Sequence, residues 1–399
     1  MTLLIDPPNS PGHGRMWSHL ASDTSFDELH RFAGALGIPR RGFDRDHYDI
    51  PAERYAQVVA AGAQPVPSRE LVARLHRAGL RRRKADVLGP RGPGRPLRRA
   101  RRLVPGDRVA VVAPAGHVPD ARLDAGLDVL ASWGLDVVEM PNVRGRLLGL
   151  DYLAAADADR AADLTDAWCD PGVAAVICAR GGYGVQRMVD LLDWRALAEA
   201  GPKVLLGFSD VTALHQAFAS RLGVSTVHGP VVTSLGAGDD ESRRHLRAML
   251  FHPEDAVTLT PEPVGSLVAG RAEGVLVGGT VSLLAAEAGT GTGMAARGSI
   301  AVLEDVDEEL YRLDRLLTQL LRSGWFDGVH GIAVGRLSGC GTEASQRRLF
   351  ADVLAPLGVP MLWDVPVGHG ARNLSFPLGV PARLDADAGT LTLLEPALL

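Results

Sequence analysis

Cysteine is scarce: Cys169, Cys178 and Cys340 are the only three in 399 residues, and they lie far apart. An odd, scattered set excludes a disulfide framework and a zinc ribbon and fits a reducing, cytoplasmic setting. Long apolar runs are missing too, none approaching the ~18 residues of a membrane span. The opening Met1-Thr2-Leu3-Leu4-Ile5-Asp6-Pro7-Pro8 has neither the basic start nor the apolar stretch of a secretory signal. No Gly-x-x-x-x-Gly-Lys-Ser/Thr loop and no Gly-x-Gly-x-x-Gly after a strand occur, so nucleotide binding loses its usual signatures. No His-Glu-x-x-His is found, and no histidine has Glu three positions on, which removes the zinc-peptidase spacings. A Gly-x-Ser-x-Gly elbow is absent, which argues against an ordinary α/β-hydrolase. The expectation is a catalytic centre with no cofactor and no metal.

Charge is unevenly spread. Residues 1–80 hold 9 Arg against 9 acidic residues, residues 81–104 hold 10 Lys and Arg against one Asp, and the remainder holds 23 basic against 37 acidic residues. So acidic a body is a poor nucleic-acid ligand. The basic stretch 81–104, with Gly89-Pro90, Gly92-Pro93-Gly94 and Arg95-Pro96, has the composition of an exposed linker. Arginine-and-proline segments can enter DNA minor grooves, but GC-rich coding bias gives the same composition without function, and the plain linker is preferred.

Residues 1–80 read as a small α/β unit: a strand at Leu3-Leu4-Ile5, a helix from Phe26 to Leu36 capped by Ser25, and a second helix from about Ser68 to Ala78. From 105 onward, strands alternate with helical stretches. Strands are expected at 108–113, 135–140, 173–178 and 204–206, which implies a parallel sheet covered on both faces. Residues 236–268 are polar and proline-containing and read as an inter-domain crossing. Residues 269–399 read as a second, β-rich α/β domain around a leucine helix carrying Leu310, Leu313, Leu316, Leu317, Leu320 and Leu321.

Four segments can carry chemistry. Val204 to Gly207 delivers Ser209 to the C-terminal edge of a buried strand, where open α/β sheets bind ligands; the competing reading makes Ser209 a helix N-cap. Arg180-Gly181-Gly182-Tyr183-Gly184 follows another strand and permits close backbone approach to a ligand, or is simply a tight turn. Ile300 to Leu303 delivers Glu304, ahead of acids expected to be solvated charges in the first turn of the leucine helix. Gly368-His369-Gly370 places a histidine on an uncrowded backbone, as a surface loop also would. Together they give Ser…Glu…His, the set in which an imidazole takes the serine proton and a carboxylate holds the imidazole.

At these residues the chain resembles the LD-carboxypeptidases, serine peptidase family S66. That family includes murein tetrapeptide carboxypeptidases and the self-immunity peptidases that inactivate microcin C. The resemblance covers about 105–397, through Pro105-Gly106-Asp107-Arg108, Arg180-Gly181-Gly182-Tyr183-Gly184, Gly207-Phe208-Ser209-Asp210-Val211-Thr212, His228-Gly229-Pro230, Leu303-Glu304-Asp305 and Gly368-His369-Gly370. It implies a Rossmann-like domain, 105–235, carrying nucleophile Ser209, and a C-terminal domain, 269–399, carrying the general base His369 and its orienting acid Glu304. It further implies an oxyanion hole from the backbone N–H groups of Asp210 and Gly182, and a homodimer. The expected substrate is a muropeptide that loses its terminal D-alanine; a peptide–nucleotide antibiotic is the alternative. Arg180 and Arg372 are candidates for the substrate carboxylate. A non-catalytic, nucleic-acid-binding role through residues 1–104 is the other class of reading, disfavoured by the intact Ser209, Glu304 and His369.

Residues 1–80 resemble a different family, DUF4031, through Ile5-Asp6-Pro7-Pro8, Trp17-Ser18-His19-Leu20, Arg41-Gly42-Phe43 and Asp46-His47-Tyr48. His13, His19, His30, Asp23, Asp44, Asp46 and His47 could furnish a metal or phosphodiester site there. The preferred reading makes them surface and turn polar residues of a small domain.

Overall fold

The computed structural model describes residues 3–12, 15–39, 42–44, 46–78, 80, 94–260 and 262–399. Contacts divide the chain into two compact units, Met1–Gly89 and Pro90–Leu399.

In the first unit, strand Leu3–Ile5 pairs antiparallel with Arg15–Ser22 and parallel with Gln64–Pro65. Arg15–Ser22 also pairs with Ser10–Gly12 and with His47–Pro51, and Phe43–Asp44 closes the edge. Alternation along a strand sends neighbouring side chains to opposite faces. Ile5 and Leu20 join one core, with Leu29 and Ala33 of helix Phe26–Ala35, while Leu4 and Ala21 join a second, with Leu71 and Leu75 of helix Ser68–Arg77. The first of these helices starts as the sequence predicts, because Ser25 sits in extended backbone and accepts the Glu28 N–H. Strands Arg15–Ser22 and His47–Pro51 were not anticipated, since His19, His47 and Asp49 break the apolar alternation that marks a strand.

The second unit holds two sheets. The first runs Asp136–Glu139, Arg108–Val112, Val173–Cys178, Val204–Gly207, Thr226–His228, all parallel, and ends with Phe376–Leu378 antiparallel. Counted along the chain, its parallel strands lie in the order 2-1-3-4-5. The switch point therefore falls between Arg108–Val112 and Val173–Cys178, at the carboxyl ends where such sheets bind ligands. The second sheet has a parallel centre of Arg271–Thr280, Ser299–Val306, Gly331–Ser338 and Met361–Trp363. Antiparallel strands Pro381–Asp385, Thr390–Leu393 and Gly265–Val268 flank it. Phe376–Leu378 comes from the C-terminal part of the chain yet completes the first sheet, with His228 opposite Phe376. Helix Leu310–Arg322 buries Leu313, Leu317 and Leu320 on the second sheet.

Two sequence expectations need correction. The linker was expected to run to 104; residues 81–93 of it lie outside the described residues, but from Leu97 on the chain is part of the second unit. The Leu97 N–H donates to the Gly379 carbonyl, Arg98 bridges Val224, and Ala100 and Leu103 are buried. Apolar residues at 97, 100 and 103 outweigh the arginines between them. The polar crossing at 236–268 also contains a 12-residue helix, Asp240–Phe251. The Asp239 carboxylate accepts the Ser242 N–H at its start, and Leu246, Met249 and Leu250 are buried at the i, i+3, i+4 spacing of one helical face.

Candidate active site

Strand Val204–Gly207 ends in a turn that holds Ser209 at φ +65°. This left-handed conformation is uncommon outside glycine and concentrates at functional sites. It also removes the N-cap reading, because the Ser209 side chain caps neither the following 3-10 turn, Ser209–Val211, nor helix Thr212–Leu222. The glycine turn after the neighbouring strand lies directly against the serine. A Cβ on Gly181 would sit 2.8 Å from Ser209 Cβ and 3.1 Å from its Oγ, so only glycine fits without displacement. Gly182 packs on Gly116, and the Gly116 N–H donates to the Gly181 carbonyl, joining the two loops of the switch point. Asp210 is buried. Its carboxylate accepts the Val185 N–H at 2.8 Å and so fixes the far end of the same turn. Burial pushes its pKa up to about 6, against the hydrogen bond that favours the charge.

Glu304 sits at an irregularity of strand Ser299–Val306, where register to Gly331–Ser338 shifts between Leu303 and Asp305. Such a bulge re-aims a side chain. The carboxylate is fully buried and fully engaged. Oε2 lies 2.7 Å from His369 Nδ1 and accepts the His369 backbone N–H at 3.2 Å, while Oε1 accepts the Thr280 hydroxyl at 2.5 Å. Thr280 Oγ1 also lies 3.4 Å from the Ser209 carbonyl oxygen, and the Thr280 N–H donates to Thr212 Oγ1. The serine turn and the Glu304–His369 pair are therefore tied through one threonine. The rings of Phe208 and His369, 4.8 Å apart, join the same two segments.

Electrostatics reinforce the pair. Burial disfavours the imidazolium of His369, but the hydrogen bond and charge of Glu304 outweigh it and hold the pKa above its ordinary value. Burial likewise opposes the Glu304 charge, and His369 with Thr280 overcomes it, so this carboxyl is lowered. His228 lies 4.0 Å from Glu304 Oε1, stacked on Phe376, and burial drives its pKa down to about 3. It stays neutral, so His369 is the histidine that shares charge with Glu304.

The histidine loop is held from outside. Asn373 Oδ1 accepts the Gly368 N–H, the Asn373 N–H donates to Ser242 Oγ, and that hydroxyl donates to Asp239. Ser338 donates to the His369 carbonyl. A Cβ on Gly368, at φ +96°, would lie 2.5 Å from Glu304 Oε2. Sequence reasoning missed Thr280, Asn373, Ser242 and Ser338. None carries a motif of its own, and the helix that supplies Ser242 was hidden in the expected crossing. It also misread Asp305, expected among solvated charges: Asp305 is buried, accepts the Ser282 N–H at the start of helix Val281–Glu287, and burial raises its pKa to about 6.

The arginine candidates are drawn to local partners. Arg180 donates to the His117 carbonyl at 2.6 Å, and Arg372 pairs with Glu241 at 2.5 Å. Arg243, from helix Asp240–Phe251, lines a cleft with His369, Phe208 and Asn373; it too has local partners, donating to the Leu235 carbonyl at 2.8 Å and pairing with Asp240.

A serine at positive φ, packed on a glycine turn and linked through Thr280 to a buried carboxylate that holds an imidazole, defines a hydrolase-type site on a Rossmann-like sheet. The chain matches the family models of the LD-carboxypeptidase N-terminal domain at residues 109–229 and C-terminal domain at 273–384. It belongs to the LD-carboxypeptidases, and it is a carboxypeptidase of that family. A Streptomyces coelicolor chain, described only provisionally as a carboxypeptidase, is 57% identical over 306 residues, 76% of this chain and 98% of the relative. The murein tetrapeptide carboxypeptidase of Pseudomonas aeruginosa is 38% identical over 70% of this chain and 94% of its own. Among solved structures, the microcin C7 self-immunity protein MccF in complex with glutamyl sulfamoyl guanosine superposes with TM-score 0.69 at 21% identity, covering 75% of this chain and 99% of its own. Residues 3–78 match DUF4031, a family described as of unknown function. Among the described residues, no helix is long and apolar enough to cross a membrane.

Proposed function

We propose that this carboxypeptidase uses Ser209 as nucleophile, His369 as general base and Glu304 as the acid that orients it. Its reaction is hydrolysis of an L,D-peptide bond, releasing the terminal D-alanine of a murein tetrapeptide. The observation that carries this reading is the Glu304–His369 hydrogen bond of 2.7 Å, in a cluster bound to the Ser209 turn through Thr280. Neutral His369 takes the Ser209 proton as the hydroxyl attacks the carbonyl carbon. The imidazolium, stabilised by Glu304, then returns a proton to the leaving D-amino acid, and water repeats the cycle on the acyl-enzyme. Backbone N–H groups of Asp210 and Gly182 receive the oxyanion. For the substrate carboxylate, Arg243 is favoured over Arg180 and Arg372, because it lines the cleft with His369. The finer expectations, a homodimer acting in the cytoplasm, rest on the family resemblance and on the three free cysteines.

The fold shared with MccF supports a second reading, in which the scissile bond belongs to a peptidyl nucleotide. Incubating the purified protein separately with murein tetrapeptide and with glutamyl sulfamoyl guanosine, followed by mass spectrometry, separates the two. Loss of one alanine from the tetrapeptide is expected. Cleavage of the sulfamoyl compound alone would establish the second reading, and turnover of neither would remove both.

A further inference from the structure

Strands Arg15–Ser22 and His47–Pro51 pair antiparallel with His19 directly opposite Asp49. His47 lies two residues before Asp49, and residues i and i+2 of a strand share a face. Three potential ligands thus stand on one face of a two-strand ladder. One ligand atom from each of His19, His47 and Asp49 lies within 4.8 Å of the others. Asp49 Oδ1 is 3.3 Å from His47 Nε2 and 4.0 Å from His19 Nε2. Ligand atoms of a tetrahedral zinc ion, each about 2.0–2.1 Å from the metal, stand roughly 3.3 Å apart, so small side-chain rotations would close this set on a cation.

The second observation concerns the other nitrogens. His19 Nδ1 lies 2.9 Å from Asp6 Oδ2, and His47 Nδ1 lies 2.7 Å from Asp46 Oδ1. Both carboxylates are buried, Asp6 at 1% and Asp46 at 0% exposure, and Asp6 is itself aimed by the His19 N–H and the Ser68 hydroxyl. A carboxylate on Nδ1 fixes the imidazole tautomer that leaves the Nε2 lone pair for a metal, and metal-binding histidines almost always carry such a partner. Here both histidines carry one, and both Nε2 atoms face the same Asp49 oxygen. Asp49 is exposed while His47 is buried, so the set opens toward solvent on one side. Of the other residues the sequence put forward, His30 is engaged with Tyr48 and Asp23 with Arg74; His13 and the Asp44 side chain lie outside the described residues. The buried Asp46 and His47 are not the surface residues the sequence reading preferred.

We infer that His19, His47 and Asp49 form a binding site for a divalent transition-metal ion of the zinc class, with Asp6 and Asp46 as positioning residues. Two imidazoles and one carboxylate leave a fourth position for water or an external ligand, the arrangement of an open rather than a closed structural site. The inference concerns the first unit and does not depend on the peptidase reading of the second.

The test uses the full-length protein, stripped with a chelator and titrated with Zn²⁺ alone against a competing chromophoric chelator, with Co²⁺ as spectroscopic probe. One ion per chain is expected, with d–d bands of a low-coordinate Co²⁺ site. Asp49→Asn, which keeps the size of the side chain at an exposed position, should weaken zinc at least tenfold, as should His19→Gln. Asp6→Asn should weaken it about 10–100-fold, with the Co²⁺ bands altered but present. Absence of saturable zinc binding by the folded protein overturns the inference. So does binding that Asp49→Asn and His19→Gln leave unchanged, because the ion then sits elsewhere. If His19→Gln fails to fold, Asp49→Asn decides the matter by itself.

Discussion

Two regions of this molecule build the same small unit, a histidine whose Nδ1 is held by a buried carboxylate, and surround it differently. In the second unit Glu304 holds His369, and a serine turn is bound into the same cluster through Thr280. In the first unit Asp6 and Asp46 hold His19 and His47, and a third carboxylate lies where their Nε2 atoms meet. In the proposed reading, the single imidazole serves a serine hydroxyl and moves a proton, whereas the two imidazoles that share an acid hold a cation. The His–carboxylate pair is thus an orienting device, and its neighbours decide the chemistry.

The widest separation between the regions is expected from Ser209→Ala. Turnover of tetrapeptide should fall by about 10⁶, as when a serine peptidase loses its nucleophile, while substrate binding and zinc uptake stay as in the unmodified chain. More than a few per cent residual rate, measured by mass spectrometry of released alanine, would take Ser209 out of the nucleophile role. Glu304→Gln should cost less, about 10⁴, because it spoils the tautomer and charge of His369 but leaves the imidazole. A loss equal to that of His369→Ala would give Glu304 a larger role than orientation.

Gly181→Ala probes packing rather than chemistry. Its Cβ would press on Ser209 Cβ at 2.8 Å, and something must move. A displacement of this size at a reacting group can cost about 10² in rate. Wild-type kcat for this variant would show that the serine turn tolerates relocation.

Much of the second unit was legible because its signals are local. Strand Val173–Cys178 and the leucine helix are continuous apolar patterns; Ser209, Glu304 and His369 stand out as a set through the family resemblance, since taken locally Ser209 also reads as a helix cap and His369 as a surface-loop residue. What escaped were residues whose role exists only across sequence distance. Thr280 meets Glu304 through strand pairing, and Asn373 meets Ser242 of a helix whose buried apolar residues, Leu246, Met249, Leu250 and Phe251, all lie in its second half. In the first unit the polar residues of the two ladder strands erased the very alternation that would have revealed them.

The pH profile sharpens the comparison at the level of the base. Glu304 holds His369 above the ordinary histidine value of about 6.5. The imidazole accepts the Ser209 proton only when neutral, so kcat/KM should be full above the raised pKa and fall tenfold per unit below it. The acidic limb should therefore lie above ~6.5 and move down in Glu304→Gln, where the charge that raises it is gone. A profile flat from about pH 5 to 8 would exclude His369 as the base.

The smallest effect is expected from separating the units. All three proposed catalytic residues, and the helix that braces the His369 loop, lie after Gly94, so a chain beginning there should keep its tetrapeptide activity within about twofold. Beginning instead at residue 105 removes Ala100 and Leu103 from the core and the hydrogen bond from the Leu97 N–H to Gly379. Burial of one leucine is worth roughly 1.5–3 kcal/mol, so this shorter chain should be destabilised by about 3 kcal/mol or more, measured as the difference in urea unfolding free energy between the two fragments. The comparison turns on residues 97–103: equal stability of the two fragments would mean that their packing adds nothing to the fold and that the basic stretch acts as a linker throughout. Loss of activity in the longer fragment, folded by circular dichroism, would instead require the first unit to contribute to the peptidase site.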